Sequence, residues 1–343
     1  MIIKLSNRVQ AVKPSPTLAI TARAAALRAA GKDVIGLGAG EPDFDTPEHI
    51  KDAARRAIAD GKTKYTPVDG TPGLKQAVID KFKRDNGLVY EPDQILVSCG
   101  GKQSFYNLAQ ALLDPGDEVI IPAPYWVSYP DMAILAGGEP VLIHCSASQR
   151  FKVTPAQLRG ALNEKTRLFV INSPSNPTGM AYTADELGAL GEVLRDYPRV
   201  VIATDDMYEH IRWNKDEPFV NIVNVCPELA ERTLVLNGVS KAYSMTGWRI
   251  GYAGGPANVI KAMKKIQSQS TSNPTSISQY AAEEALNGPQ DCIDEMLVEF
   301  RKRHDAVVER LNAMSGVECL PTDGTFYVFP SVGGLIDAID GVD

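Results

Sequence analysis

Residues Asn237–Gly251 read NGVSKAYSMTGWRIG and follow directly on the apolar run Thr233–Leu236, TLVL. A run that is apolar at every position, not at alternate ones, predicts a strand buried on both faces. That is the signature of a parallel sheet covered by helices. The strand then meets Gly238 and a turn that carries Lys241, two serines and, eight residues on, Arg249. In open parallel sheets ligands collect at the carboxyl ends of the strands, so this turn is read as one wall of a binding site.

The same grammar recurs along the chain. CGGKQ (99–103), APYW (123–126), NSPSNPTG (172–179) and TDDMY (204–208) each end an apolar run with glycine, hydroxyl, amide, carboxylate or amine groups. With GVSKAYS (238–244) they make five polar strand ends in succession. Between them, KQSFYNLAQALL (102–113) and ADELGALGEVLRD (184–196) have helical spacing. Strands alternating with helices predict an α/β fold. TLAITARAAALRAAGKD (17–33) predicts a helix ended by Gly31. VIGLGAGEPDFDTPEHI (34–50) predicts a short strand, a turn, and a helix capped by Thr46 with Pro47 at its first position. CIDEMLVEFRKRHDAVVERLNAM (292–314) predicts a helix long enough to bridge two domains. VECLPTDGTFYVFPSV (317–332) predicts strand, turn and strand.

The 343 residues suffice for one large domain or two ordinary ones. A net charge of −7 without a basic cluster argues against nucleic acid as a partner. No apolar run is long enough for a signal peptide or a membrane span. The five cysteines are scattered, with no CxxC pair, and no two of the four histidines are neighbours. A zinc site and a disulfide framework are therefore not expected, and reduced thiols in the cytoplasm are.

Each polar residue has an ordinary reading beside a chemical one. A lysine after a buried strand usually points into solvent. Next to Arg249 and an apolar wall, Lys241 would instead be a desolvated amine fit to form a Schiff base. Ser240 and Arg249 suit a phosphate. So does the passage of Ser98–Gln103 through two glycines into a helix start, where free N–H groups favour an anion. It lacks the GK[ST] ending of a Walker loop, and no GxGxxG follows a strand to suggest a dinucleotide. Asp205 reads as a helix cap or ion-pair member, or as the partner of a protonated ring nitrogen, with Tyr208 in reach of an oxygen on that ring. Asn176 reads as part of a rigid turn, or as an amide for the same oxygen or for a substrate carboxylate. Trp126 packs in a core or stacks on a ring. Taken together, the chemical readings describe pyridoxal phosphate.

The segments GEPDFDTPEHI (40–50), KTKYTPVDG (62–70), PYWVSYPDM (124–132), SPSNPTG (173–179) and SKAYSMTGWRIGYAGGP (240–256) resemble the class I aminotransferases of fold type I. Nearest are the bacterial aspartate aminotransferases, including those that also take prephenate. The resemblance runs from VQAVKPSPT (9–17) to GTFYVFP (324–330). It implies a mostly parallel seven-stranded sheet flanked by helices, with a smaller α/β domain. The division it implies is an arm and small-domain start at 1–45, a cofactor domain at 46–290, and a bridging helix with part of the small domain at 291–343. Lys241 matches the lysine that anchors the cofactor and later moves a proton. Asp205 matches the ring-nitrogen partner, and Tyr208 and Asn176 the groups on the ring hydroxyl. Ser240, Arg249 and the turn Gly101, Lys102, Gln103 match phosphate contacts. Trp126 matches the stacking ring, and Tyr65 a phosphate contact reaching into the neighbouring subunit of a homodimer. Gly40 and Asn176 match contacts to the substrate α-carboxylate, and Lys102 the lysine for the distal carboxylate. Ser15 and Thr17 match residues that close over the substrate. Lys13 stands where prephenate-active members carry a base, although a lysine in such an arm is ordinarily solvated.

The implied reaction moves the amino group of L-aspartate to 2-oxoglutarate. Other amino-acid aminotransferases and β-lyases of the same fold are the alternatives. The family's late arginine for the α-carboxylate has no counterpart in SVGGLIDAIDGVD (331–343). The expectation is thus a fragment or truncated chain, with a cofactor-binding or dimerisation partner of weak activity as a further alternative.

Overall fold

The computed structural model describes residues 3–14, 16–336 and 338. Seven strands form one sheet: β1 (Ile95–Ser98), β2 (Glu118–Ala123), β3 (Glu139–His144), β4 (Thr166–Asn172), β5 (Val201–Asp205), β6 (Thr233–Gly238) and β7 (Gly251–Gly254). Their spatial order is β1-β7-β6-β5-β4-β2-β3. The pairs from β6 through β5, β4 and β2 to β3 are parallel. β7 lies antiparallel to both β6 and β1. The loop between Gly238 and Gly251 turns the chain straight back without a crossover helix, which is the connection an antiparallel neighbour permits.

Side chains alternate across the sheet and feed two cores. Val235 and Ile202 join Ile50, Leu74, Phe82 and Phe169 on one face. Leu234, Leu236 and Ala203 join Phe105, Leu108 and Ile121 on the other. Each large apolar side chain so buried contributes about 1.5–3 kcal/mol. A third cluster joins Met296, Leu297 and Phe300 of helix Asp291–Asn312 to Tyr208 and Ile211, with Phe326 and Tyr327 packed against it. It sets the aromatic pair 326–327 above the end of β5.

Three expectations need correction. Residues 33–40 form no strand; Ile35 and Leu37 are exposed, and the segment has no partner strand among the described residues. Thr46 does not cap the next helix, which spans Glu48–Ala59 behind Pro47 with no side-chain cap. The Thr46 hydroxyl instead donates to Ser244 O at 2.7 Å and accepts from Trp248 Nε1 at 2.9 Å, tying the segment to the Lys241 loop. The strand pair in 317–332 is reduced to a single antiparallel bridge, Glu318 with Ser331. Of residues 331–343, which contain no arginine, 337 and 339–343 lie outside the described residues.

Phe82 is fully buried and meets Tyr90 and Tyr252 edge-on at 5.2 and 5.6 Å. Phe82→Ala should cost about 3–5 kcal/mol in urea unfolding. A loss below about 1 kcal/mol would mean that this side of the core can collapse into the gap.

Candidate active site

The carboxyl ends of β4, β5 and β6 open into one cavity of about 500 Å³. Thr17, Gly40, Gly101, Lys102, Trp126, Asn176, Asp205, Tyr208, Ser240, Lys241 and Arg249 all line it. These positions span 233 residues of sequence, and strand register gathers them: Asn172 stands opposite Asp205, and Asp205 opposite Leu236.

Asp205 closes β5. Its carboxylate accepts from Tyr129 Oη at 2.5 Å and from the Met207 amide at 3.3 Å. Burial pushes its pKa above the usual carboxylate value, and those two bonds oppose the shift. A cation brought into the cavity beside it would offset that cost of burial. Tyr208 follows in the same turn, and its hydroxyl lies 2.7 Å from that of Tyr327. Asn176 Nδ2 donates to the Tyr327 hydroxyl at 3.4 Å. Three polar groups thus meet at one point, and burial raises both phenols, Tyr327 to about 12.

Lys241 Nζ donates to Gly40 O at 2.5 Å and sits 5.8 Å from the centre of the Phe326 ring. Burial lowers the amine to about 8; Glu41 pulls it up, Arg249 down again, and Asp205 up. An amine with that pKa is partly neutral near pH 7 to 8, as a nucleophile or a proton acceptor must be.

The opposite wall is built for an anion. Arg249 has φ 55°, and its guanidinium donates to Thr246 O at 2.9 Å. Gly100, at φ 86°, starts helix Gly101–Leu112 without a side-chain cap. A Cβ at Gly100 would meet Arg249 Nη2 at 2.4 Å, and one at Gly251 would meet the Gly101 amide nitrogen at 2.2 Å. Only glycines let the guanidinium and the helix start come this close. Lys102 Nζ lies over the Trp126 ring, 5.2 Å from its centre. Burial lowers its pKa, and Arg249 lowers it further.

Some expected residues lie elsewhere. Gln103 is turned away: its side chain accepts from the Cys99 amide and donates to Thr271 Oγ1, both at 2.6 Å. Its own amide is spent on Gly100 O. Tyr65 is 92% exposed in the single chain. Lys13 is exposed and away from the cavity, and Ser15 lies outside the described residues. Tyr129 and Tyr327 enter the site with no local signal in the sequence, because the partners that reveal them are 76 and 119 residues distant.

Residues 32–338 match the family model of class I and II aminotransferases. The chain belongs to this family. It is an aminotransferase, and its fold is that of the family's solved members. The aspartate/prephenate aminotransferase of Nitrosomonas europaea is 62% identical over 338 residues, which are 98% of this chain and 85% of that protein. The aspartate aminotransferase of Geobacillus stearothermophilus is 53% identical, across 96% of this chain and 83% of its own length. The crystal structure of the aspartate aminotransferase from Rhizobium meliloti superposes with a TM-score of 0.94 at 53% identity, covering 97% of this chain and 83% of that one. The Thermus thermophilus aspartate aminotransferase with maleate gives 0.91 at 45% identity, over 96% and 85%. Among the described residues of the aminotransferase, no helix is long and apolar enough to cross a membrane.

In the unliganded protein, acylation of Lys241 followed by mass spectrometry should show a pH midpoint near 8. Because the folded value lies below the unfolded one, the charged amine works against folding below pH 8. That penalty should fade as pH rises from about 8 towards 10.5. A midpoint near 10.5, the unperturbed value, would show the amine to be fully hydrated.

Proposed function

We propose that the aminotransferase uses pyridoxal 5'-phosphate to exchange the amino group of L-aspartate with 2-oxoglutarate, giving oxaloacetate and L-glutamate, and that it also converts prephenate to arogenate. The observation that carries the substrate class is Lys102. It places a partly buried cation against an aromatic wall, beyond the amine, in a cavity that already holds Arg249. A dicarboxylate is the substrate that satisfies a second cation.

The donor set fits the cofactor. The helix start at Gly101, Ser240 and Arg249 would hold a dianion, and Gly100 and Gly251 let the guanidinium and the helix start approach closely enough to share it. Asp205 is a half-buried, desolvated carboxylate that a cationic ring nitrogen would pair. Tyr208 and Asn176, which meet through the Tyr327 hydroxyl, would turn to the ring hydroxyl, and Trp126 offers a stacking face. Bound there, pyridoxal phosphate supplies an aldehyde that captures amines and a ring that draws off the electron pair of a substrate Cα.

The chain's own groups do the rest. With the cofactor bound, Lys241 would anchor it, and its Nζ would take the substrate Cα proton as base and return it as acid. Asp205 would keep the ring nitrogen protonated. Gly40 and Asn176 orient the substrate α-carboxylate, and Lys102 the distal one. Thr17, at the cavity wall, closes over the substrate. The exposed Tyr65 reaches the neighbouring subunit's phosphate in a cytoplasmic homodimer. Residues 46–290 form the cofactor domain, 1–45 an arm and the start of the smaller domain, and 291–343 a bridging helix with part of that domain.

Lys102→Leu separates this reading from an aromatic aminotransferase or β-lyase. Loss of one charged hydrogen bond, about 1.5–3 kcal/mol, should lower kcat/KM for aspartate about 10- to 150-fold. The value for phenylalanine should change less than about threefold. Equal losses on both substrates would remove Lys102 from specificity and leave the distal carboxylate without an anchor.

A further inference from the structure

Behind the active site, on the far side of the turn that carries Asp205 and Tyr208, lies a buried ionic cluster that the proposed reaction does not use. Lys81, on helix Pro72–Asn86, is 1% exposed. Its ammonium is paired with Glu209, itself 5% exposed, and donates to Asn86 Oδ1 at 2.7 Å. Glu209 also accepts from Asn86 Nδ2 at 2.5 Å and from Asn237 Nδ2 at 2.8 Å. Asp85 and His210 stand close by, within 3.9 Å of Lys81 and 3.3 Å of Glu209 respectively. Asp85, Glu209 and His210 could be taken for metal ligands. The Lys81 ammonium already occupies the place of the cation, so the chain supplies its own counter-charge.

What matters is where the three arms of the Glu209 carboxylate lead. Glu209 belongs to the turn after β5, next to Tyr208, and its amide bonds Asp206 O at 3.0 Å. Asn237 is the penultimate residue of β6, and its Oδ1 accepts from the Gly238 amide at 2.7 Å. Gly238 pairs with Gly251, so Asn237 stands at the base of the loop that holds Ser240, Lys241 and Arg249. One carboxylate therefore joins the turn bearing Asp205 and Tyr208 to the base of the loop bearing Lys241, and anchors both to a helix.

A buried ion pair is weak evidence for stability, because desolvation offsets the attraction. Bonds with fixed direction between two strand ends serve position better than apolar packing would. We propose that Glu209 and Asn237 are positioning residues, forming a strut that holds the Lys241 loop in its desolvated place relative to Asp205. The inference rests on the proposed function for its kinetic consequence only.

Asn237→Ala removes the strut and leaves the Lys81–Glu209 pair intact. The expected result is a folded protein in which the acylation midpoint of Lys241, without cofactor, rises by about one unit as the amine gains water. With pyridoxal phosphate and aspartate, kcat should fall about tenfold while KM changes less than about threefold. Lys81→Met/Glu209→Leu is the second variant. It removes the strut at its other end, at the cost of leaving the Asn86 and Asn237 amides unpaired, and the folded variant should show the same two changes. A folded Asn237→Ala protein with unchanged midpoint and unchanged kcat overturns the strut, whether or not the double variant folds. If wild-type protein fails to turn over aspartate, the functional reading falls, and the acylation midpoints still decide this one.

Discussion

A lysine amine and a carboxylate, Lys241 and Asp205, are held out of water on the walls of one cavity, and the rest of the molecule is arranged around that constraint. Burial drives the amine down and the acid up, each towards its uncharged form. Neither group gains from this on its own. Both would gain from a ligand that brings a protonated ring and an aldehyde. The sheet bears the cost, with two cores packed against its faces holding the strand ends in place.

The same logic accounts for the glycines and the aromatic residues. Gly100 and Gly251 are small because a guanidinium and a helix start must approach each other. Phe326 and Tyr327 come from the far end of the chain, carried in by their packing on helix Asp291–Asn312. They put an apolar lid and a phenol over Lys241 and Tyr208. Thr46 brings the Gly40 segment to the Lys241 loop through two hydrogen bonds.

Much of this is legible in the residues alone, for a physical reason. β1 and β6 are buried along their whole length and β5 all but its last residue, so their apolar runs stand out. β3 is an edge strand with exposed and buried residues mixed, and β7 is four residues of mostly small side chains; neither announces itself. Lys241, Asp205 and Arg249 are recognisable because each follows a glycine turn or a buried strand. Thr46 looks like a cap, and nothing local shows that its hydroxyl is engaged some 200 residues away. Tyr129 and Tyr327 are hidden for the same reason, since a hydrogen bond across such separations leaves no trace in spacing. Gln103 belongs to the right turn but faces the wrong way, a matter of side-chain direction that a motif does not carry.

The account turns on Lys241 and Asp205 serving one cofactor. The most direct measurement is a visible absorption spectrum of the purified protein with pyridoxal phosphate, taken before and after L-aspartate is added without any oxo acid. The account predicts a band from the lysine-bound cofactor that disappears with aspartate as the cofactor takes the amino group. A protein that forms no such band would contradict it.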